Sequence, residues 1–222
     1  MRASADLEQR ARQTLGISHD AIYSTVDAVL ARHRASGTLA DIGCGTGRLW
    51  ERLRGRFQRC IGVDAVRFEG LPADIEFRGA DLDARALPVS TGEADAVVAV
   101  ETIEHLENPR AFVRELARIA RPGGLVVVTT PNQLSALSLL TLVTRRQFSA
   151  FQDNSYPAHR TALLEVDLHR IAAECGLEDV AVRYTTHGRV PLLAAHYPKA
   201  LARHFPRLFS DHVVLCARKP AS

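Results

Sequence analysis

The chain has 222 residues, of which 46% are hydrophobic and 24% charged, and a net charge of +3. The length suits a single domain (1–222) with a substantial core, and the composition is that of an ordinary globular protein. So small a charge gives no ground for a nucleic-acid partner, and no apolar run approaches a bilayer span. The first residues mix acids and arginines without the apolar centre of a signal peptide. Cys44, Cys60, Cys175 and Cys216 form no C-x-x-C pair and lie at no zinc-finger spacing from histidine, so reduced thiols in a cytoplasmic protein are expected.

Residues 4–15 and 18–35 read as two helices, the second opened by Ser18 and stopped by Gly37, forming a helical cap over 1–37. A strand at about 38–42 runs into Asp41-Ile42-Gly43-Cys44-Gly45-Thr46-Gly47, and a helical pattern follows. A strand that breaks into a glycine turn and opens a helix makes a ligand cradle. The glycines allow positive φ and close approach, and the helix start offers unpaired N–H groups to a carboxylate or phosphate. The spacing G-x-G-x-G departs from the dinucleotide fingerprint G-x-G-x-x-G. Asp41 would repel a pyrophosphate and would suit an ammonium group.

A second strand, about 59–63, ends in Asp64, where an acid can bind ribose hydroxyls. A third, about 75–79, leads to Asp81. The fourth is Ala94 to Val100, and a helix over 108–121 is opened by Asn108-Pro109 and closed by Pro122-Gly123-Gly124. The fifth, Leu125 to Thr130, is a β-branched run of the kind buried on both faces of a parallel sheet. The alternation over 38–130 predicts a doubly wound α/β sheet.

After Thr130 the rhythm breaks into an insertion, 131–160, shaped like a lid. Its apolar stretch from Leu134 to Val143, followed by Arg145 and Arg146, is expected to be a helix packed over the mouth of the site. The functional alternative is a peripheral membrane or lipid contact through 134–146. A helix over 161–175 stops at Gly176, and strands at 177–186 and 211–218 complete the C-terminal part, 161–222. From Arg183 to Lys219 there are seven basic residues against one acid, Asp211, together with His187, His196, His204 and His212. A solvated basic surface is expected there; the alternative is an anionic substrate or a membrane surface.

The glycine turn with acids at three consecutive strand ends resembles the class I S-adenosylmethionine-dependent methyltransferases. The resemblance implies a seven-stranded, mostly parallel Rossmann-like sheet whose last two strands form an antiparallel edge pair. It implies S-adenosylmethionine as cofactor, bound by Asp41, Gly43, Cys44, Gly45, Asp64, Ala65, Asp81, Leu82, Val100 and Glu101. Asp81 would meet the adenine amino group, and the Leu82 N–H a ring nitrogen.

A second constellation follows strand four: Glu101-Thr102-Ile103-Glu104-His105-Leu106. On a helical turn, positions i, i+3 and i+4 share a face, which would group Glu101, Glu104 and His105. Two carboxylates and an imidazole suit a divalent ion, and His159 could close over it. This Glu-x-x-Glu-His pattern with a distant histidine is similar to the ubiquinone-pathway O-methyltransferases and the small-RNA 3′-terminal 2′-O-methyltransferases. Thr129-Thr130-Pro131-Asn132 resembles the former as well. The resemblance implies Mg, Mn or Zn held by Glu101, Glu104, His105 and His159, with His105 and Glu104 catalytic. Without a metal, the same Glu-His-Leu belongs to other small-molecule methyltransferases, with His105 as base or packing residue. The acceptor expected is a small-molecule hydroxyl on a catechol, sugar or other diol. The alternatives are metal-free N- or C-methylation, an RNA 2′-hydroxyl, and cofactor binding without chemistry.

Overall fold

The computed structural model describes residues 18–221. The helix expected over 4–15 lies outside them. The elements run α1 (Asp20–Arg32), β1 (Gly37–Ile42), α2 (Arg48–Leu53), β2 (Phe57–Asp64), β3 (Ile75–Gly79), β4 (Ala94–Ala99), α3 (Pro109–Ile119) and β5 (Ala120–Pro131). They continue with α4 (Ala136–Arg145), α5 (Glu165–Glu174), β6 (Glu178–Tyr184), α6 (Lys199–His204) and β7 (His212–Arg218). Seven strands form one sheet in the order β3-β2-β1-β4-β5-β7-β6. β7 runs antiparallel to both β5 and β6, and the other pairings are parallel. The expected α/β sheet with an antiparallel edge is therefore what forms, with β7 inserted between β5 and β6.

Alternation along the strands explains the layers. Ala40, Ile42, Ile61, Val63, Val97, Val126 and Val128 face one apolar layer, built with Phe112, Leu116, Leu168 and Ile171 of α3 and α5. Their neighbours Leu39, Cys60, Ala96, Val98, Leu125 and Val127 face the other, with Ile22, Val26, Leu30, Leu49 and Trp50 of α1 and α2. The central strands β1, β2, β4 and β5 are thus apolar on both sides, as a sheet covered by helices on both faces requires. β1 lies between β2 and β4, with Asp41 opposite Gly62 on one side and Val98 on the other. The chain leaves β1 toward opposite edges of the sheet, which opens a crevice at the carboxyl ends of these strands.

Three elements differ from the sequence reading. β5 begins at Ala120, because the Pro122-Gly123-Gly124 stretch enters the sheet through a register shift beside β4. The six-residue α6 carries too short a pattern to be seen in the sequence. α4 is a helix capped by Ser135, whose hydroxyl accepts from the Ser138 N–H at 3.2 Å. It does not bury an apolar face: Ser138 is its buried residue, while Leu139, Leu140, Leu142 and Val143 are exposed, Val143 by 82%.

Candidate active site

A cavity of about 860 Å³ opens at the carboxyl ends of β1, β2 and β4. One end is the glycine turn. The Gly43 and Cys44 N–H groups both donate to the Val63 carbonyl, at 2.7 and 3.2 Å, folding the turn onto β2. Gly43 sits at φ 84°, and a Cβ there would lie 2.4 Å from the Thr102 hydroxyl oxygen, so a side chain is excluded on two grounds. The Gly45 N–H donates to the Asp64 carboxylate at 2.9 Å. That bond and a longer one from the Val66 N–H hold the Asp64 side chain at the cavity wall.

Asp41 is 2% exposed, and one of its carboxylate oxygens has no hydrogen-bond partner among the described residues. Burial first, and the neighbouring Asp64 second, push its carboxyl up to about 7. Asp64 is also raised by burial, against the pull of its backbone N–H donors. A buried acid without a partner is costly unless a cation meets it. The ammonium group of a bound amino acid would do so. Ala65, Asp81, Leu82 and Val100 line the same cavity, as does Cys44, whose thiol burial holds in its protonated form. Cys60 and Cys216 are likewise buried free thiols, and Cys175 is half-buried.

The other end is built around the connection after β4. Glu101 enters it at φ 48°, a strained position for a residue with a Cβ. Its N–H donates to the Thr129 hydroxyl at 2.9 Å, and that hydroxyl donates to the Glu101 carboxylate at 2.7 Å. The second carboxylate oxygen lies 3.3 Å from His212 Nε2. A 3₁₀ turn then covers Ile103–His105. Because Glu101 stands outside that turn, it does not share the helical face expected for it.

Glu104 is fully buried, and among the described residues neither carboxylate oxygen has a well-formed hydrogen bond, the Thr130 hydroxyl being the neighbour that eases its charge. Burial, then the Glu101 charge, raise its pKa well above the usual carboxylate range. His159 arrives from the end of the insertion. Its return is tied down by the Arg160 and Thr161 N–H groups, which donate to the Glu104 carbonyl at 2.9 and 3.0 Å. The Thr161 hydroxyl adds a bond of 2.7 Å to the Leu106 carbonyl. The His105 and His159 rings meet edge to face at 4.8 Å.

Glu104, His105 and His159 each offer a ligand atom within 4.8 Å of the others. Both imidazoles hydrogen-bond a backbone carbonyl through Nδ1, His105 to Ala158 at 2.8 Å and His159 to Ala150 at 2.6 Å. A carbonyl only accepts, so each Nδ1 carries a proton and each ring is oriented by an outer partner, as in metal-binding histidines. Burial, with His105 beside it, also lowers the pKa of His159 and keeps it neutral. This donor set fits a divalent ion. Three of the four expected ligands are brought together; Glu101 is engaged by Thr129 and His212.

The cavity wall also contains Tyr23, Tyr156, His187, Arg189, His196 and Asp211, which the sequence did not mark as site residues. Their only signal was the density of histidines after residue 183. Much of the basic stretch there is engaged within the molecule. Arg189 pairs with Asp211 at 2.8 Å, Arg207 with Glu165 at 2.7 Å, and Lys219 donates to the Ala120 carbonyl at 2.8 Å.

Comparison with known proteins accounts for this arrangement. The family described as Methyltransferase domain matches residues 12–182. The chain belongs to that family. The methyltransferase is 32% identical over 202 residues to a probable S-adenosylmethionine-dependent methyltransferase of Mycolicibacterium smegmatis, covering 87% of this chain and 71% of that one. It is 30% identical over 155 residues to the ubiquinone biosynthesis O-methyltransferase of Thiobacillus denitrificans, covering 65% of this chain and 66% of that relative. Its fold matches a SAM-dependent methyltransferase from Archaeoglobus fulgidus at a TM-score of 0.63, with 18% identity, covering 89% of this chain and 94% of that one. The protein is a methyltransferase enzyme that uses S-adenosylmethionine. Among the described residues no helix is long and apolar enough to cross a membrane.

Proposed function

We propose that this methyltransferase methylates a hydroxyl of a small molecule bearing two adjacent hydroxyls, a catechol or a sugar diol, with a divalent ion held by Glu104, His105 and His159. The observation that carries the reading is Glu104: a wholly buried carboxylate with the Thr130 hydroxyl near enough to ease its charge and no well-formed hydrogen bond among the described residues, beside two imidazoles oriented by backbone carbonyls. Such a carboxylate is stable as an anion only beside a cation. The named O-methyltransferase relative supports the same acceptor chemistry.

S-adenosylmethionine supplies an activated sulfonium methyl group, and a divalent ion at Glu104, His105 and His159 would lower the pKa of an acceptor hydroxyl. The chain's own part is to place and deprotonate. Asp41 and Asp64 anchor the cofactor's polar ends, and the Asp81–Leu82 wall receives the base. His105, its ring oriented by the Ala158 carbonyl, stands beside Glu104 to take the acceptor proton or to help hold a metal. Thr129 fixes Glu101 at the junction of the two ends. A second reading is favoured by the raised pKa of Glu104: held protonated, it would donate a hydrogen bond to the acceptor without any metal. Turnover of labelled cofactor with a catechol series decides between them. The metal reading expects activity to vanish on exhaustive chelation and return with Mg²⁺, Mn²⁺ or Zn²⁺. Full activity after chelation overturns it.

We also infer that α4 rests on an anionic membrane surface. Four exposed apolar side chains are followed by Arg145 and Arg146, the pairing of apolar anchor and positive charge that such a surface binds. Cosedimentation with phosphatidylglycerol vesicles should be lost in Val143→Asp; equal binding to neutral and anionic vesicles overturns the inference.

A further inference from the structure

Three histidines from distant parts of the chain meet at the cavity wall. His187 follows β6, His196 stands in the loop before α6, and His19 precedes α1. The His187 and His196 rings stack at 4.0 Å with planes 26° apart. His19 lies 5.3 Å from His187 and 6.3 Å from His196, centroid to centroid.

The loop is built to hold this arrangement. The Val190 N–H donates to the Ala195 carbonyl and the Tyr197 N–H to the Gly188 carbonyl, both at 2.9 Å, pinching the loop that carries His196 back against His187. Gly188 has no room for a side chain, since a Cβ would lie 2.5 Å from the Phe209 carbonyl oxygen. The Asp211 N–H donates to the His187 carbonyl at 3.0 Å, and the Asp211 carboxylate is engaged by Arg189. The acid nearest the cluster is thus already occupied.

Stacked imidazoles do not point their nitrogens at one centre, so the cluster is not a metal site; Glu104, His105 and His159 are the residues whose ligand atoms converge. Bringing imidazoles this close together disfavours their protonation unless an opposite charge joins them. His187 shows this: burial, then His196 and His19, lower its pKa. Its Nε2 is buried and has no hydrogen-bond partner among the described residues. A group with several lone pairs and a negative charge satisfies all of these conditions at once.

We propose that His19, His187 and His196 form a subsite for an oxyanion, a carboxylate or phosphate, carried by the methyl acceptor. The proposal rests on reading the cavity as a joint site for cofactor and acceptor. It places the subsite on the acceptor side because His187 and His196 line the same cavity as His105 and His212, and His212 Nε2 lies 3.3 Å from the Glu101 carboxylate. The acceptor would then lie with its hydroxyls toward His105 and its anionic group toward the histidine wall.

The test compares 3,4-dihydroxybenzoate with its methyl ester, which differ in charge and not in the diol. The wild type should show a KM for the acid about tenfold below that for the ester, the order that a hydrogen bond to a charged group supplies. His187→Gln and His196→Gln should raise the KM for the acid toward that for the ester, while the affinity for S-adenosylhomocysteine keeps its wild-type value. His196 is exposed and its variant will fold even where His187→Gln does not. Equal KM values in the wild type overturn the proposal, as does an effect of the variants on the cofactor alone, which would assign the cluster to the cofactor's carboxylate. If neither catechol is methylated, the hydroxyl reading fails and the subsite is decided separately. Titration with inorganic phosphate should then move the imidazole NMR resonances of His187 and His196, and resonances that stay fixed sink it.

Discussion

At the glycine-turn end of the cavity, the proposed cofactor end, the polar side chains are the last residues of neighbouring strands and the turns that follow them. At the proposed acceptor end they come from a 3₁₀ turn, the close of a long insertion, and the loops flanking β6 and β7. The first end is positioned by parallel register, which fixes Asp41 opposite Gly62 and carries Asp64 beside the glycine turn. The second is positioned by single ties such as the Arg160 and Thr161 bonds to Glu104. A sheet holds its site with its own ladder; loops need individual hydrogen bonds, and each is a point at which the site can be undone.

The largest effect should come from Gly43→Val. It forces a Cβ into Thr102 from a positive φ, and titration calorimetry should find cofactor binding abolished. Retained binding would show that the glycine turn does not form the cofactor end. At the acceptor end, His105→Ala should lower kcat by about 10²–10⁴-fold, the usual contribution of a general base, with cofactor affinity nearly intact. A matching loss of cofactor affinity would merge the two ends and break the comparison. Asp64→Ala should weaken cofactor binding by roughly 1.5–3 kcal/mol, the scale of hydrogen bonds to a charged group, and should leave metal binding at Glu104 unaffected. Isothermal titration with Mn²⁺ checks the second half.

The smallest effect is in pH. Asp41 has a folded pKa raised to about 7 from an ordinary 3.8. A carboxyl raised in this way favours the folded state below its unfolded pKa and loses that contribution as pH rises through the folded value. The cofactor-free protein should therefore melt lower at pH 8 than at pH 5 on this account. A cation beside Asp41 reverses the preference, so cofactor affinity should rise with pH up to about 7 and then level. Asp41→Asn should flatten both trends; trends that survive it would move the titrating group elsewhere.

Much was legible from the chain alone. Apolar runs with β-branched residues marked the strands, because a strand covered on both faces must be apolar throughout. The glycine spacing and the acids Asp41, Asp64 and Asp81 pointed to residues that line one cavity, because in a doubly wound sheet residues just past the strand ends keep a sequence address. The grouping of Glu104 with His105 was readable for the same reason of short range. What the sequence could not determine was whatever depended on a loop's path. The fold-back that sets His159 against Glu104, the strained entry at Glu101 that turns its carboxylate to Thr129 and His212, and the meeting of His19, His187 and His196 all join residues with no fixed spacing. So did the fate of the 134–143 stretch, whose apolar pattern announces a helix but not whether anything covers it. Local periodicity encodes which residues face a sheet or a core; only the three-dimensional path of the chain decides which distant polar groups come to share a cavity.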